Sequence, residues 1–272
     1  EGKPGYRDGN DYWRLYNYLE NTRALDVINR PEDAFAAAAG FGGFLSVLSD
    51  FDAWLIQPVL PDFHNVSYRI HQLDEAIKEN RVGRWEEVRA ELEKIKIFEP
   101  AVVQIFQRIN RGEVPVRITH NDTKISNVLL DEQTLKPIAV VDLDTVMAGS
   151  VLFDLGDMIR TFVSPVDENE ADVSKVAIRP EMLAAMVGGY HQATKGILTE
   201  TEKAMVIDAG KMLVFTQTIR FLTDYLIGDV YYKTLYPEHN LVRTRNQLRL
   251  LSLLVEKEAQ WKAIVKQAFS MH

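Results

Sequence analysis

The chain has 272 residues, 46% apolar and 26% charged, which suffices for a substantial core in one large domain or two small ones. A net charge of −8 argues against a general affinity for nucleic acid or anionic membranes. With no cysteine, disulfides, thiol catalysis and cysteine-ligated zinc are excluded, as fits a reducing, cytoplasmic setting.

The chain begins with Glu rather than Met, which points to a piece of a longer protein. Its start, EGKPGYRDGNDYW, is too polar for a signal peptide, and no run approaches the ~20 apolar residues needed to span a bilayer. Glu1 to Asn10 holds an Asp-Gly pair that favours a tight hairpin turn, and the alternating aromatics of Tyr12 to Tyr18 predict a strand leaving it. Glu20 to Pro31 reads as a connector. Ala- and Phe-rich Glu32 to Ser49 predicts a mostly buried helix, Pro58 to Asn65 a loop, and Ser67 to Asn80 and Arg84 to Arg111 two more helices. Short β-branched runs follow at Val114 to Thr119, Val128 to Asp131 and Pro137 to Val141, with DEQTLKP as the turn between the last two. The remainder is expected to be helical: Val151 to Phe162, Pro180 to Thr194, Glu200 to Ile227 and Asn240 to Phe269.

The chemistry concentrates in the β-rich stretch. In THNDTKISNVLL, Thr119 to Leu130, His120 stands two residues before Asp122, and Asn127 five after it. The cluster VVDLD follows at Val140 to Asp144. A hairpin between Asn127 and Asp142 would bring a neutral amide oxygen and an ionised carboxylate together, both suited to Mg²⁺. Phosphoryl transfer from a nucleotide needs such a pair, plus a carboxylate that orients an acceptor hydroxyl, for which Asp122 is the candidate. In an extended segment Asp144 would point to the same side as Asp142, as a further ligand or as an acceptor of substrate hydroxyls. His120 reads as a packed, hydrogen-bonded support of the loop.

This run resembles the catalytic loop of the aminoglycoside phosphotransferase and choline kinase superfamily, which shares its fold with protein kinases. The resemblance implies an α+β, mainly α chain: the C-terminal lobe of a protein-kinase-like fold, with a short catalytic β-hairpin among helices. It implies ATP and Mg²⁺ as cofactors, Asp122 as catalytic base, and Asn127 and Asp142 as metal ligands. Gly149 and Asp154 match the family's Gly and the Asp five residues on, whose role would be to brace the loop through backbone amides. Lys124 sits where protein kinases carry a lysine that contacts the transferring phosphate; a plain surface lysine is the alternative.

Three strings, HNDTKISNVLLD, VVDLDTVMAGSVLFDLGDMIRT and RFLTDYLIGDVYYK, further resemble the N-acetylhexosamine 1-kinase branch. That branch implies phosphorylation of the anomeric hydroxyl of an N-acetylhexosamine; the alternatives are another acceptor of the wider superfamily, choline, homoserine or an aminoglycoside, and, from a different class, a non-catalytic binding module that keeps the fold. Asp144, Arg220, Asp224 and Tyr232 are the candidates for the sugar pocket; for Arg220 and Asp224 a helix–helix salt bridge and core packing is the competing role. His64 could reach the acceptor, or anchor its loop. The partner expected is a small molecule, an amino sugar, with neither nucleic acid nor membrane.

The family's N-terminal lobe, with its phosphate-covering loop and strand lysine, has little sequence to hold it here. AGFGGF, Ala39 to Phe44, lies within a helical pattern and makes a poor phosphate loop. Residues 1–21 are therefore expected to be the last strands of that lobe and the hinge, with the backbone near Tyr18 and Leu19 facing adenine. Residues 22–272 would be the catalytic and acceptor-binding lobe. On this reading the piece binds ATP poorly and turns over little, while its acceptor site persists.

Overall fold

The computed structural model describes residues 5–270. The start of the Glu1 to Asn10 turn segment and of the 1–21 unit thus lies outside the described residues. The fold is mainly helical, with three small antiparallel sheets. Strands β1 (Tyr6–Asp8) and β2 (Asp11–Trp13) form a hairpin in which Asp8 faces Asp11 and Gly9 turns the chain at φ 59°, as the Asp-Gly pair predicts.

The strand expected over Tyr12 to Tyr18 ends at Trp13. Residues 14–19 carry no regular structure, and Leu15, Tyr16 and Tyr18 are exposed. Among the described residues β1 and β2 pair only with each other, so alternation beyond Trp13 has no ladder to join. The expected connector contains a two-residue strand, β3 (Thr22–Arg23).

Helix α1 (Pro31–Val47) starts with Pro at its first position, where no amide hydrogen is needed, and with Glu32 and Asp33 favourably placed in its first turn. AGFGGF lies wholly inside it. Helices α2 (Val66–Glu79) and α3 (Arg89–Asn110) follow, the latter preceded by a 3₁₀ turn at Trp85–Val88. Strand β4 (Arg117–Thr119) pairs with β7 (Met147–Gly149). Between them, β5 (Val128–Asp131) and β6 (Pro137–Val140) form the expected hairpin, with β3 on the outer edge of β5.

Helices α4 (Val151–Phe162) and α5 (Pro180–Ala193) match their predicted spans closely. The helix expected over Glu200 to Ile227 breaks at Met205 into α6 (Glu200–Ala204) and α7 (Val206–Ile227). Thr199 and Glu202 cap the start of α6 reciprocally, and Arg117 of β4 holds the Glu202 carboxylate at 2.8 Å. The short helix is thereby tied to β4 while α7 enters the core. The last helix likewise divides at Lys257 into α8 (His239–Glu256) and α9 (Glu258–Ser270), and α9 turns back to pack on α5.

Helix α7 is the axis of the molecule, buried along most of its length and flanked by α4, α8, α2 and α3. Helix α1 lies against α5, close enough that a Cβ on Gly189 would collide with the Phe35 carbonyl oxygen. Among the described residues no helix is long and apolar enough to cross a membrane.

Candidate active site

The loop after β4 is shaped by acids on α4. Ser150 caps that helix by accepting from the Leu152 amide at 3.3 Å, which fixes its first turn. Asp154, fully buried there, accepts the His120 amide at 3.0 Å and the Asn121 amide at 2.7 Å. One turn on, Asp157 accepts the Thr123 amide at 2.9 Å and is itself held by Arg160 at 2.8 Å. Burial pushes the Asp154 carboxyl up to about 6, against the downward pull of the two amides.

Asn121 sits in the left-handed region at φ 66°, which Asn tolerates, and donates to the Thr119 and Thr145 carbonyls. Gly149 closes the frame: a Cβ there would lie 2.6 Å from Thr119 Oγ1. The bracing role expected of Asp154 is what the geometry shows. Asp157 and Asn121 went unnoticed in the sequence, although the three-residue spacing of the two acids on one helix face was available to find Asp157.

His120 packs edge-on against Phe41 and Phe44. Its Nε2 lies 3.0 Å from the Val141 carbonyl and its Nδ1 accepts the Asp122 amide, so both ring nitrogens are engaged. It supports the loop, as read from sequence. His64 anchors the same loop from outside, with Nε2 3.2 Å from the Asn121 carbonyl and its ring stacked on Phe153.

Asp122, Lys124, Asn127 and Asp142 converge. Asp122 Oδ2 meets Lys124 Nζ at 2.9 Å and receives Asn127 Nδ2 at 3.1 Å. Lys124 Nζ lies 3.7 Å from Asp142 Oδ2. Burial works against the Lys124 ammonium, but the hydrogen bond and charge of Asp122, with Asp142 behind them, raise it above its ordinary value. The β5–β6 hairpin makes this meeting possible, because the Val141 amide donates to the Asn127 carbonyl at 2.9 Å.

The site residues fit a hard cation. Asn127 is buried and turns its NH₂ to Asp122, so that its amide oxygen accepts no hydrogen bond among the described residues. The Asp142 carboxylate is half exposed. Among the described residues no three His, Asp or Glu side chains gather as a metal cage. Two protein oxygens, completed by water and phosphate, are what Mg²⁺ usually takes.

Asp144 does not join this cluster. The expectation that Asp142 and Asp144 share one side of an extended segment fails because Asp142 is left-handed, φ 60° and ψ 59°, and starts a 3₁₀ turn at Leu143–Thr145. Asp144 instead bonds Arg14 of the N-terminal segment at 2.6 Å and is largely exposed. Tyr18 and Leu19 are exposed, Tyr18 at 85%.

Arg220, Asp224 and Tyr232 share one cavity of about 290 Å³, walled also by Phe63, Arg69 and Tyr231. No Arg220–Asp224 salt bridge forms. Asp224 is buried and spends its oxygens on the amides of Val230, Tyr231 and Tyr232, at 2.8–2.9 Å, and on Asn240 Nδ2 at 2.8 Å. It shapes the cavity wall and has little left for a ligand. Phe63 and His64 link the cavity to the loop: the two rings are in contact at 4.6 Å, and Arg220 lies over Phe63 at 5.1 Å.

Residues 2–191 match the phosphotransferase enzyme family. Among solved structures, the fold is similar to a choline/ethanolamine kinase family protein from Mesorhizobium loti, at 15% identity and TM-score 0.55, covering 96% of this chain and 77% of that one. It is also similar to an ethanolamine kinase from Plasmodium vivax, at 12% identity and TM-score 0.56, covering 91% and 68%. These likenesses concern the fold.

Proposed function

The chain belongs to the phosphotransferase enzyme family, and from that premise we propose that it moves the γ-phosphoryl group of ATP onto a hydroxyl of a small molecule. The observation that carries this reading is the convergence of Asp122, Lys124, Asn127 and Asp142 at one end of the β5–β6 hairpin. Asp122 Oδ2 is engaged by Lys124 and Asn127, while Oδ1 has no partner among the described residues and is left for the acceptor hydroxyl. As the acceptor oxygen bonds to phosphorus and the bond to the ADP oxygen breaks, the hydroxyl proton passes to Asp122. Lys124 would follow the transferring phosphoryl oxygens. Asn127 through its amide oxygen and Asp142 through its carboxylate would hold Mg²⁺, which when bound neutralises charge on the β- and γ-phosphates.

The acceptor we favour is an N-acetylhexosamine phosphorylated at its anomeric hydroxyl. The three strings quoted above support it, as does the pairing of Arg220 with the Tyr232 ring in the cavity beside the loop. Choline and ethanolamine, suggested by the names of the structural neighbours, would set an ammonium beside two guanidinium groups. A non-catalytic module would have no use for the assembled cluster. We further read residues 1–21 as the end of an N-terminal lobe and its hinge, with the backbone near Tyr18 and Leu19 toward adenine, and 22–272 as the catalytic lobe.

A screen of sugars and amino alcohols, with the product position read by phosphorus NMR, tests the acceptor: phosphate on a primary hydroxyl would discard the anomeric assignment. In the same assay Asp122→Asn is expected to lower kcat by about 10²–10⁴-fold. A variant as fast as wild type would remove Asp122 from the role of base.

A further inference from the structure

Arg69, on α2, shares the acceptor cavity with Arg220, on α7. Arg220 is encircled by aromatic faces, 5.1 Å from Phe63, 5.6 Å from Tyr232 and 5.8 Å from Tyr231. It donates to Gln217 Oε1 at 3.1 Å, and Gln217 is itself held by the Tyr232 hydroxyl. Arg69 donates to Gln72 Oε1 at 2.7 Å and to the Phe63 carbonyl at 3.2 Å, and its Nε–H is buried without a partner. Among the described residues neither guanidinium is paired with a carboxylate.

Asp224, the acid of the cavity wall, is occupied by three backbone amides and Asn240. Glu168 is engaged by Arg160 at 2.6 Å, and Asp229 by Arg84. Burial, and then the charge of Arg220, pull the Arg69 guanidinium below its ordinary value. Two half-buried cations held this close without a counter-charge call for an electron-rich ligand.

We propose that Arg69 and Arg220 together hold an acyl oxygen of the phosphate acceptor, the carbonyl of an N-acyl group or a carboxylate, and that Arg69 sets the specificity against acceptors bearing a free ammonium. The proposal rests on the reading of this cavity as the acceptor site. It adds a second guanidinium, from a helix distant in sequence, to a pocket in which sequence pointed only to Arg220. The planar fork of each arginine suits a C=O oxygen, whereas a free amine would enter as a third cation.

The test is calorimetric binding to the 272-residue chain of four probes: N-acetylglucosamine, glucuronic acid, glucosamine and ethanolamine. At least one acyl probe should bind about tenfold or more tightly than either amine, as the loss of a charge-assisted hydrogen bond would cost. Which acyl probe binds separates the amide from the carboxylate. Arg69→Leu should erase the preference from both sides, weakening the acyl probe and tightening glucosamine, whose ammonium would meet one cation fewer. Arg69→Lys, which keeps charge and bulk but loses the fork, should retain part of it, and serves as the test if the Leu variant melts early. In turnover, the loss should fall on KM for the acyl probe rather than on kcat.

Equal binding of acyl and amino probes, no binding of either acyl probe, or equal weakening of all ligands by Arg69→Leu would overturn the subsite. ADP release distinguishes the two levels of the argument. Turnover confined to ethanolamine would sink the subsite and leave the phosphotransferase reading standing. An acyl preference in binding, with no ADP released on any acceptor by a longer protein that carries the N-terminal lobe, would do the reverse.

Discussion

The proton of His64 belongs on Nε2, because that nitrogen faces the Asn121 carbonyl while Nδ1 is buried without a partner. A second proton would sit where nothing accepts it. Burial, reinforced by the Arg220 charge, accordingly lowers this histidine from 6.5 to about 3. Between those values the unfolded chain binds a proton at this residue and the folded chain does not, so the contribution of His64 is intact above pH 6.5 and is lost as pH falls toward 3. Asp154, raised from 3.8 to about 6, runs the other way, stabilising most below 3.8 and losing that contribution as pH rises through 6. The informative measurement is therefore the difference between wild type and His64→Gln in denaturant-derived stability from pH 7 to pH 4. The wild type should lose up to about 1.4 kcal/mol more per pH unit than the variant; parallel curves would contradict the burial of Nδ1. At this scale the sequence was legible where spacing carries the geometry: Asp122, Asn127 and Asp142 lie together around Lys124, and Asp154 holds the loop amides. It was not legible for Arg69 or Asp144. The first acts through a cavity between two helices far apart in the chain, and the second is turned away by the left-handed backbone of Asp142.

Helices α1 and α5 make the closest interhelical approach described above, and its tightest point is Gly189 against the Phe35 carbonyl. Because the obstacle is backbone rather than a flexible side-chain tip, Gly189→Ala should force the helices apart and cost about 1–3 kcal/mol, read as a lower urea midpoint with unchanged slope. A midpoint equal to wild type would mean that the two helices can separate freely. The helices themselves were readable from apolar periodicity, and α4 and α5 fall nearly where predicted. What periodicity does not reveal is where a continuous apolar pattern bends. The breaks at Met205 and Lys257 follow from the Thr199–Glu202 cap, the Arg117 ion pair and the packing of α9 on α5. Strand length failed for a related reason: the aromatic alternation past Trp13 had no neighbouring strand to pair with.

Across the whole molecule, a chain of net charge −8 that presents Asp122 and Asp142 together is a poor host for a bare triphosphate. On the proposed placement of adenine beside them, the exposed Tyr18 and Leu19 would give it little enclosure. Nucleotide affinity should therefore depend on the phosphate end, and removal of Mg²⁺ by EDTA should weaken ATP binding about tenfold or more, equivalent to about 1.4 kcal/mol, when followed by calorimetry. ATP held equally well in chelator would count against Asn127 and Asp142 as the cation's ligands. The proposed acceptor end is built on another basis. Its wall is tied down by Asp224 through the amides of residues 230–232, groups that every amino acid except proline supplies. The clasp is therefore indifferent to which side chains stand at those positions. Tyr231 and Tyr232 can thus be exchanged without loss of the amide bonds that fix their loop, so that a scaffold with its acceptor in this cavity, as proposed, would gain new acceptors by changing rings rather than architecture.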